Sequence, residues 1–406
     1  MSLGKSEIGN TRYCNYGYQY NVREAYKGLP FQFLWTWVTG KGVELNDSEL
    51  SIKKSRSSEV FLVFHLIYTW ALLALSFLLG AAALTNISLF WWVIPISWVI
   101  SVNRLRSLQA TFHYMTHGSV VKDVGRAKLY SLIFLTTPLL YVCWDRYRVS
   151  HVREHHHLRV LCTETDPDQE FIAQQGFRLG MPEREYWLKV WLTPLRPDYL
   201  VEEWWGLIKD NFIYPSRTEV VYRATFWGLI IAIVSFLGIW LEFCLLFLVP
   251  RLIMFPHSMW LQLITEHLWF YQKGNHQTRK ELYGNLTWGR FQGRPVPETG
   301  IFKKFEWVVK IFILDVPVRL YIYPQDLPNH DFHHRMPSVS YKNIADVRAS
   351  YELKPSDYGP MLEVWGFMST LYMIRDHLCR GLTTPFRLSI DGADVVNVQG
   401  ERKCSS

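Results

Sequence analysis

The chain has 406 residues, of which 16% are aromatic and only 19% are charged, a lower charged share than the roughly 25% of ordinary soluble domains. This balance favours a protein that contacts lipid, because tryptophan and tyrosine prefer the interface between membrane and water. The net charge of +7 is modest and no basic stripe with interleaved aromatic residues is present, which argues against a nucleic-acid partner. The six cysteines are scattered without a CxxC pair, which argues against a disulfide framework and a cysteine-bound zinc.

The first predicted elements are two membrane-spanning helices that follow a cytosolic N-terminal segment, residues 1–58. That segment has no apolar stretch of the kind found in a cleavable signal peptide, so we expect insertion to depend on internal spans. From Val60 to Asn103 the chain contains no Asp, Glu, Lys or Arg, and this length suffices for two helices of about 20 residues each. The predicted spans lie near residues 60–83 and 87–110.

A second apolar block runs from Ala224 to Phe270 and predicts another helical hairpin. Glu242 and the Pro250–Arg251 pair interrupt this block, so the turn of the hairpin is expected there. The predicted spans lie near residues 224–247 and 252–271.

Two shorter stretches are expected to meet the membrane without a full crossing. Residues 129–144 are apolar but only about 16 residues long, which fits a buried or re-entrant segment. Residues 305–323 mix aromatic and charged side chains, which is typical of a segment that lies along the interface.

Two hairpins place both termini and the long connecting segment on one side of a multi-pass membrane protein. Of the 43 lysines and arginines, Arg251 alone lies inside the two apolar blocks, so the positive-inside rule puts the shared side in the cytoplasm. The chain then divides into the N-terminal segment, a membrane domain over residues 59–350 and a cytosolic C-terminal segment over residues 351–406. We expect the active site on the same cytoplasmic face.

Eight of the 14 histidines occupy the box positions of three tight groups. The first group is HYMTH, in which the i, i+4 spacing puts two imidazoles on one face of a helix. The second, HVREHHH, contains HxxxHH, and the third, HDFHH, contains HxxHH. A ninth histidine follows the last predicted span. The set comprises His113, His117, His151, His155, His156, His267, His330, His333 and His334.

The predicted topology brings all nine histidines to one membrane face. Because zinc takes four ligands, nine imidazoles indicate two ions. Imidazole suits iron, zinc, copper and nickel, but redox attack on an inert alkyl chain requires an oxygen-activating metal. The sequence therefore predicts an all-α integral membrane protein with two or more transmembrane helical hairpins and a cytosolic helical cap that holds a histidine-rich dimetal site.

Several assignments around the histidines remain open. The second group can supply either His155 and His156 or His156 and His157. Acidic neighbours are candidates to orient the ligands, since a metal-bound histidine usually donates its other ring N–H to a carboxylate or a carbonyl. These candidates are Asp166, Asp168, Glu266 and Asp331. The histidines expected to be structural are His65, His257, His276 and His377.

At these residues the chain resembles the membrane fatty acid desaturase superfamily, which includes alkyl hydroxylases. HYMTHGS, HVREHH with the trailing TETDPD, and HDFHHRMPSVSYKNI are similar to its three histidine boxes in order and in context, although Ser340 stands where a second proline is often found. The resemblance covers about residues 55–350. It implies a helical fold with a cytosolic cap, two iron ions, molecular oxygen as co-substrate, and all nine histidines as iron ligands.

The resemblance also implies an oxidoreductase that acts on C–H bonds of a fatty acyl or other lipid-like substrate. The context of the third box favours a desaturase, whereas the HxxxHH spacing of the second box is more reminiscent of alkane hydroxylases. No haem, flavin or dinucleotide motif is visible, so a separate electron carrier, a ferredoxin or a small haem cytochrome with its reductase, is expected. A basic cytoplasmic face would attract an acidic carrier.

Two hypotheses come from other classes of protein. His151, Glu154 and His155 match HxxEH, the motif of a zinc metallopeptidase, but this leaves the other boxes unexplained. A metal transporter would place ionisable ligands inside the spans near the midplane, whereas the boxes lie at the span ends. Metal analysis of the protein tests the peptidase hypothesis, and metal uptake into sealed vesicles tests the transporter hypothesis.

Overall fold

A computed structural model describes residues 22–55, 59–271, 278–352, 354 and 356–381. Helices provide nearly all of the regular structure in these ranges. In chain order they are α1 (Gln32–Thr39), α2 (Asp47–Ser55), α3 (Glu59–Thr85), α4 (Val93–Thr116), α5 (Val124–Leu139), α6 (Trp144–His155), α7 (Pro167–Gln174), α8 (Glu183–Leu192), α9 (Pro197–Ile208), α10 (Arg217–Leu237), α11 (Trp240–Leu263), α12 (Arg279–Asn285), α13 (Ile301–Lys310), α14 (Val316–Tyr321), α15 (His330–Arg335), α16 (Ile344–Tyr351) and α17 (Phe367–Arg380). Short helical turns are Glu24–Tyr26, Ile87–Phe90, Thr193–Leu195 and Leu327–Asn329. The π-helical turn Lys209–Ile213 extends α9, and the π-helical turn Ile311–Asp315 joins α13 to α14.

Among the described residues, three helices are long and apolar enough to cross a membrane. They are α3, α10 and α11. The predicted span at 87–110 corresponds to α4, which begins at Val93, ends at Thr116 and is not one of the three. Arg104 and Arg106 occupy its C-terminal half, which lowers its apolar character. It nevertheless packs against α3, since the Ser101 hydroxyl lies 2.9 Å from that of Ser76 on α3.

The second apolar block breaks at a different place from the predicted one. α10 ends at Leu237 and is capped by Gly238, whose φ of 68° is left-handed and suits glycine in this position. α11 then starts at Trp240. The spans predicted at 224–247 and 252–271 therefore overlap the helices Arg217–Leu237 and Trp240–Leu263, whose bounds differ from the predicted ones.

Helix α11 continues through Pro250 because the local backbone is π-helical. A proline nitrogen cannot donate a backbone hydrogen bond. The Leu245 carbonyl, five residues earlier, instead accepts a 2.7 Å hydrogen bond from the Trp98 indole. This side chain from α4 compensates for the missing donor, and the interruption expected at Pro250 does not occur.

The segment predicted to be buried or re-entrant, residues 129–144, lies at a sharp bend. Helices α5 and α6 pass the span test together but meet at an angle of 100°, and Leu140 between them is left-handed, with φ of 49°. This geometry fits a broken span or a re-entrant loop. The bend turns α6, and with it the second histidine box, toward the C-terminal end of α4.

A small sheet that the sequence did not predict supports the third box. Strand β1 (Gly289–Phe291) pairs in parallel with β2 (Glu363–Trp365). Both strands are fully buried, and the N-terminal segment joins them, since the Gln292 N–H donates to the Thr39 carbonyl at 2.9 Å. Residues from both flanking segments, Thr39 and the strand Glu363–Trp365, therefore contact β1. The predicted positions of the two termini concern residues outside the described ranges.

Candidate metal centre

The nine histidines of the predicted site come together in two adjacent groups. Within each group, one nitrogen per ring lies within 4.8 Å of all the others, close enough to hold a single metal ion. Group A consists of His113, His117, His151, His156 and His333, and group B of His155, His267, His330 and His334. A further possible group joins His151 and His155 with Asp168, and it shares its two rings with groups A and B.

The second box divides between the two groups because of its backbone. Residues Arg148–His155 form a π-helical segment, in which the His156 N–H bonds the His151 carbonyl five residues earlier at 3.0 Å. Their side chains consequently lie on one side, with the two Nε2 atoms 3.1 Å apart in group A. His155 faces group B. π-helical turns are rare and occur frequently at functional sites.

The third box divides in the same way on the short helix α15. His330 and His334 are four residues apart, and their Nε2 atoms lie 3.0 Å from each other in group B. His333 faces the other side, where its Nε2 atom is 2.6 Å from Nε2 of His113. The first box, at the end of α4, therefore meets the third box across group A.

His267 reaches group B from outside a helix. It lies four residues past the end of α11 and forms an isolated antiparallel bridge with Thr287. Its ring is fully buried, and its Nε2 atom is 3.3 Å from Nε2 of His330.

The remaining histidines lie away from both groups. His157 is exposed and its Nδ1 accepts from the Arg159 N–H, so the geometry favours the His155–His156 register. His65 contacts hydroxyls of α4, and His377 bonds the Trp269 carbonyl. The Nε2 atoms of His65 and His377 therefore already have partners within the protein. The same is true of the Nδ1 atom of His257, which bonds the Tyr321 hydroxyl. His276 lies outside the described residues.

The carboxylates of the TETDPD segment orient His155. Nδ1 of this ring lies 2.9 Å from Oδ1 of Asp166 and 3.4 Å from a carboxylate oxygen of Asp168. Asp166 is fully buried, caps α7 and also accepts from the Cys162 N–H. Burial by itself lowers the pKa of His155, but the two carboxylates outweigh it and raise that pKa to about 9. A site that stabilises positive charge on this ring also stabilises a cation bound to its Nε2 atom.

Neither of the other two acidic candidates bonds a ligand ring directly. Glu266 lies 3.9 Å from Nε2 of His330, beyond hydrogen-bond distance. Asp331 turns away from the histidines and pairs with the Arg348 guanidinium at 2.8 Å. Of the four acidic candidates, Glu266 and Asp331 therefore make no direct hydrogen bond to a ligand ring.

Two tyrosines that sequence reasoning missed contact the outer nitrogens of the rings. The Tyr147 hydroxyl lies 3.1 Å from Nδ1 of His113, in group A. The Tyr283 hydroxyl lies 2.9 Å from Nδ1 of His334, in group B. When Nε2 is the ligand, Nδ1 carries the hydrogen and donates it to the tyrosine oxygen. Tyr147 precedes His151 by one helical turn, which is a usable signal, whereas nothing in the sequence links Tyr283 to its partner.

The donor set fits a metal. Nε2 of His117 and Nε2 of His155 are buried and have no hydrogen-bond partner among the described residues, which is costly unless a further group satisfies them. Burial first, and then neighbouring histidines, lower the pKa of His151, His333 and His334 well below the usual value. These rings are neutral at physiological pH, the form in which imidazole binds a metal.

A cavity of about 310 Å³ opens beside group A. His117 forms part of its wall, and most of the remaining lining is apolar. The lining residues are Met115, Thr116, His117, Gly118, Val121, Val124, Ala127, Trp144, Arg148, Val152 and Pro337.

Comparison with known proteins agrees with this arrangement. The sequence model of the family described as fatty acid desaturase matches residues 89–364, a range that contains all nine histidines. A stretch of 117 residues is 26% identical to dihydrorhizobitoxine desaturase of Bradyrhizobium elkanii, and the match covers 29% of this chain. The match spans 33% of the length of this relative. On the extent of the family match, the chain belongs to the fatty acid desaturase family.

Proposed function

We propose that this protein is a membrane-bound desaturase that removes hydrogen from C–H bonds of a fatty acyl or other lipid-like substrate. The observation that carries the proposal is the convergence of nine buried or half-buried imidazoles into one group of five and one of four. One zinc ion would use four of them, so the arrangement supports two ions. Two iron ions bound there would supply, with molecular oxygen, the oxidising power that attack on an alkyl chain requires.

The protein side chains then have distinct roles in the proposal. The histidine boxes hold the ions, and Asp166, Tyr147 and Tyr283 fix the orientation of three of the rings through their Nδ1 atoms. Such outer contacts commonly change metal affinity or activity by roughly ten- to hundredfold when removed. The cavity beside His117, with its mostly apolar lining, would give an apolar substrate or oxygen a place to approach group A.

Integral membrane insertion with a cytoplasmic site is also proposed. It is supported by the three apolar helices and by a pair of amphipathic helices, α1 and α13. Large apolar side chains on both are strongly exposed, with Phe33 at 75% and Phe302 at 85%. On α13 this apolar face is combined with lysines, which is typical of a helix that lies in the membrane interface. The two helices are joined by packing of Trp35 against Trp307, with ring centroids 5.5 Å apart.

The height of α14, the helix that follows α13, fits the proposed interface. The Leu320 carbonyl, at the end of α14, accepts from Nδ2 of Asn103 at 2.6 Å. Asn103 precedes His113 by ten residues on α4, a rise of about 15 Å along the helix. The metal centre would therefore lie on the cytoplasmic side of α14, above the apolar part of the bundle.

Electrons for the proposed reaction would come from a separate carrier, a ferredoxin or a small haem cytochrome with its reductase. The net charge of +7 supports an acidic carrier, because complementary charge raises association rates at low salt. If turnover with a reconstituted carrier ignored ionic strength, electrostatic docking would be wrong.

The proposal is tested with the purified full chain. The protein is loaded anaerobically with ferrous iron and then given oxygen, reductant and a panel of lipids and acyl compounds, together with dihydrorhizobitoxine, and the products are identified by mass. Loss of two hydrogens reports desaturation and supports the proposal. Gain of one oxygen atom reports hydroxylation by the same site, and a single zinc with no iron per chain supports the peptidase instead.

A further inference from the structure

A chain of buried ion pairs connects the N-terminal segment to the third histidine box. Lys41 is 3% exposed, and its ammonium contacts the carboxylates of Glu363 and Glu352, the latter at 2.9 Å. Glu363, on β2, accepts from the Arg348 guanidinium at 3.2 Å. Arg348 also holds Asp331, through Nε at 3.0 Å from Oδ1 and through a second nitrogen at 2.8 Å from Oδ2.

Asp331, the last member of this series of ion pairs, is part of the third histidine box itself. Asp331 lies between the group B residue His330 and Phe332 on α15, a helix of six residues. It is fully buried, and its two oxygens form a paired contact with Arg348, a geometry that fixes direction as well as distance. Rotation of α15 would break that contact, so the pair sets the angle at which the box meets both metal groups.

The backbone around Lys41 is also locked into this region. The Gly40 carbonyl accepts from the Asn329 side chain at 2.8 Å, directly before the third box. A Cβ atom on Gly42 would lie 2.4 Å from the backbone of Ala345 on α16, so the N-terminal segment passes this helix at a distance that only glycine permits. Lys41 is thus held between Gly40 and Gly42, neither of which can move independently of the metal centre.

We propose that Lys41 is a positioning residue for the third histidine box and acts through Glu363, Arg348 and Asp331. Buried charges are costly, and a buried pair that loses one partner leaves the other uncompensated. Removal of the Lys41 ammonium leaves Glu363 and Glu352 facing each other beside Arg348. Arg348 then moves toward these carboxylates, and Asp331 loses the contact that orients α15.

That these ion pairs position metal ligands rests on the proposed function. The anchoring of α15 by the same ion pairs can be measured without any metal. The experiment is hydrogen–deuterium exchange of the metal-free full-length protein in detergent. We expect Lys41→Met to speed exchange in peptides that cover residues 327–336 by roughly tenfold or more, since loss of a buried partner lowers the cost of local opening. Unchanged exchange in those peptides would overturn the proposal.

A matched control and a second variant keep the test decisive. Lys280→Met makes the same change at an exposed ion pair with Asp357, where the lysine side chain is 48% exposed, and exchange over residues 327–336 should stay at the wild-type rate. If Lys41→Met does not fold, the double variant Lys41→Met with Glu363→Gln removes both charges of the pair. The double variant should still exchange faster than wild type in these peptides, and wild-type exchange there would contradict the proposed role.

A metal readout separates positioning from general support. After iron loading, the Mössbauer spectrum of Lys41→Met should differ from that of wild type, and Lys41→Arg, which keeps the charge, should restore most of the wild-type spectrum. An unchanged spectrum at equal iron content would remove the link to the metal centre. If wild-type protein itself bound no iron, the proposed function would fail while the exchange result still decided the anchoring of α15.

Discussion

His155 and His156 are neighbours in sequence, yet their rings belong to different metal groups. The ring centroids are 5.6 Å apart and the ring planes meet at 74°. Consecutive residues on a helix point about 100° apart, so one ion cannot easily take both. His333 and His334 repeat this relationship, with centroids 6.2 Å apart and ring planes at 81°. The paired histidines at the end of the second and third boxes therefore place one ligand on each side of the boundary between the groups.

Single substitutions in the second box should distinguish its three consecutive histidines. We expect His156→Ala to empty group A and His155→Ala to empty group B, each with loss of about one iron per chain and an activity at least roughly a hundredfold lower, since even outer contacts reach that size. His157→Ala, at the exposed position, should keep the wild-type iron content and activity. Iron analysis with parallel turnover assays measures both, and equal losses in all three variants would contradict this division.

The carboxylate behind His155 should be as important as a ligand. Asp166→Asn keeps the size of the side chain but removes the charge that faces Nδ1 of His155 at 2.9 Å. We expect iron affinity to fall by roughly ten- to hundredfold, measured by competition with a chelator of known affinity. Glu164→Gln, at an exposed position in the same loop, is the control and should bind iron like wild type. An Asp166→Asn protein with unchanged affinity would show that the contact does not support the ligand.

The sequence was sufficient to predict which histidines converge, because local spacing carries that information. The i, i+4 spacing of His113 and His117 and the doubled histidines of the later boxes are visible without a structure. The TETDPD segment likewise predicted acidic support, and the structure places Asp166 there. What spacing could not give was the assignment of each ring to a group, since this depends on the π-helical backbone around His151.

Long-range contacts were beyond the reach of the sequence. The break in the second apolar block lies at Gly238 because a left-handed cap forms there, whereas Pro250 is tolerated through the indole of Trp98, from a helix about 150 residues away. Tyr283 meets His334 across 51 residues. Lys41 reaches Glu363 across 322 residues. No local periodicity records pairings of this kind, so they can be read only from the fold.

The two tyrosines offer a test of ring orientation. Tyr283→Phe removes the oxygen that faces Nδ1 of His334 at 2.9 Å and leaves the ring packing in place. We expect turnover to fall by roughly tenfold or more with a smaller change in iron content, because the ring keeps its place but loses its fixed direction. Tyr214→Phe, at a side chain that is 46% exposed, should have no effect. Wild-type turnover in Tyr283→Phe would refute the orienting role.

Replacement of iron by zinc should separate the effect of metal binding on stability from the redox chemistry of the metal. Removal of iron by chelation should lower the thermal stability of the protein, because a ligand at a hundred times its dissociation constant stabilises the folded state by about 2.7 kcal/mol. Zinc should restore much of the melting temperature, since the same imidazoles bind it, but no oxidation of lipid. Scanning calorimetry and product analysis on one preparation measure both effects. Lipid oxidation by the zinc-loaded, iron-free protein would refute a redox metal centre.

The proposed topology makes opposite predictions for two exposed positions. Ser88 lies between α3 and α4, at the far end of the first hairpin, whereas Glu164 lies in the loop that follows the second histidine box. In a background with Cys14, Cys244, Cys379 and Cys404 replaced by serine, Ser88→Cys should react with a membrane-impermeant maleimide added outside intact cells. Glu164→Cys should react only after the cells are permeabilised, because the positive-inside rule puts the boxes in the cytoplasm. The remaining cysteines, Cys143 and Cys162, are buried and should stay unlabelled. Labelling of Glu164→Cys from outside intact cells would invert the orientation and place the metal centre on the opposite face of the membrane from the one proposed.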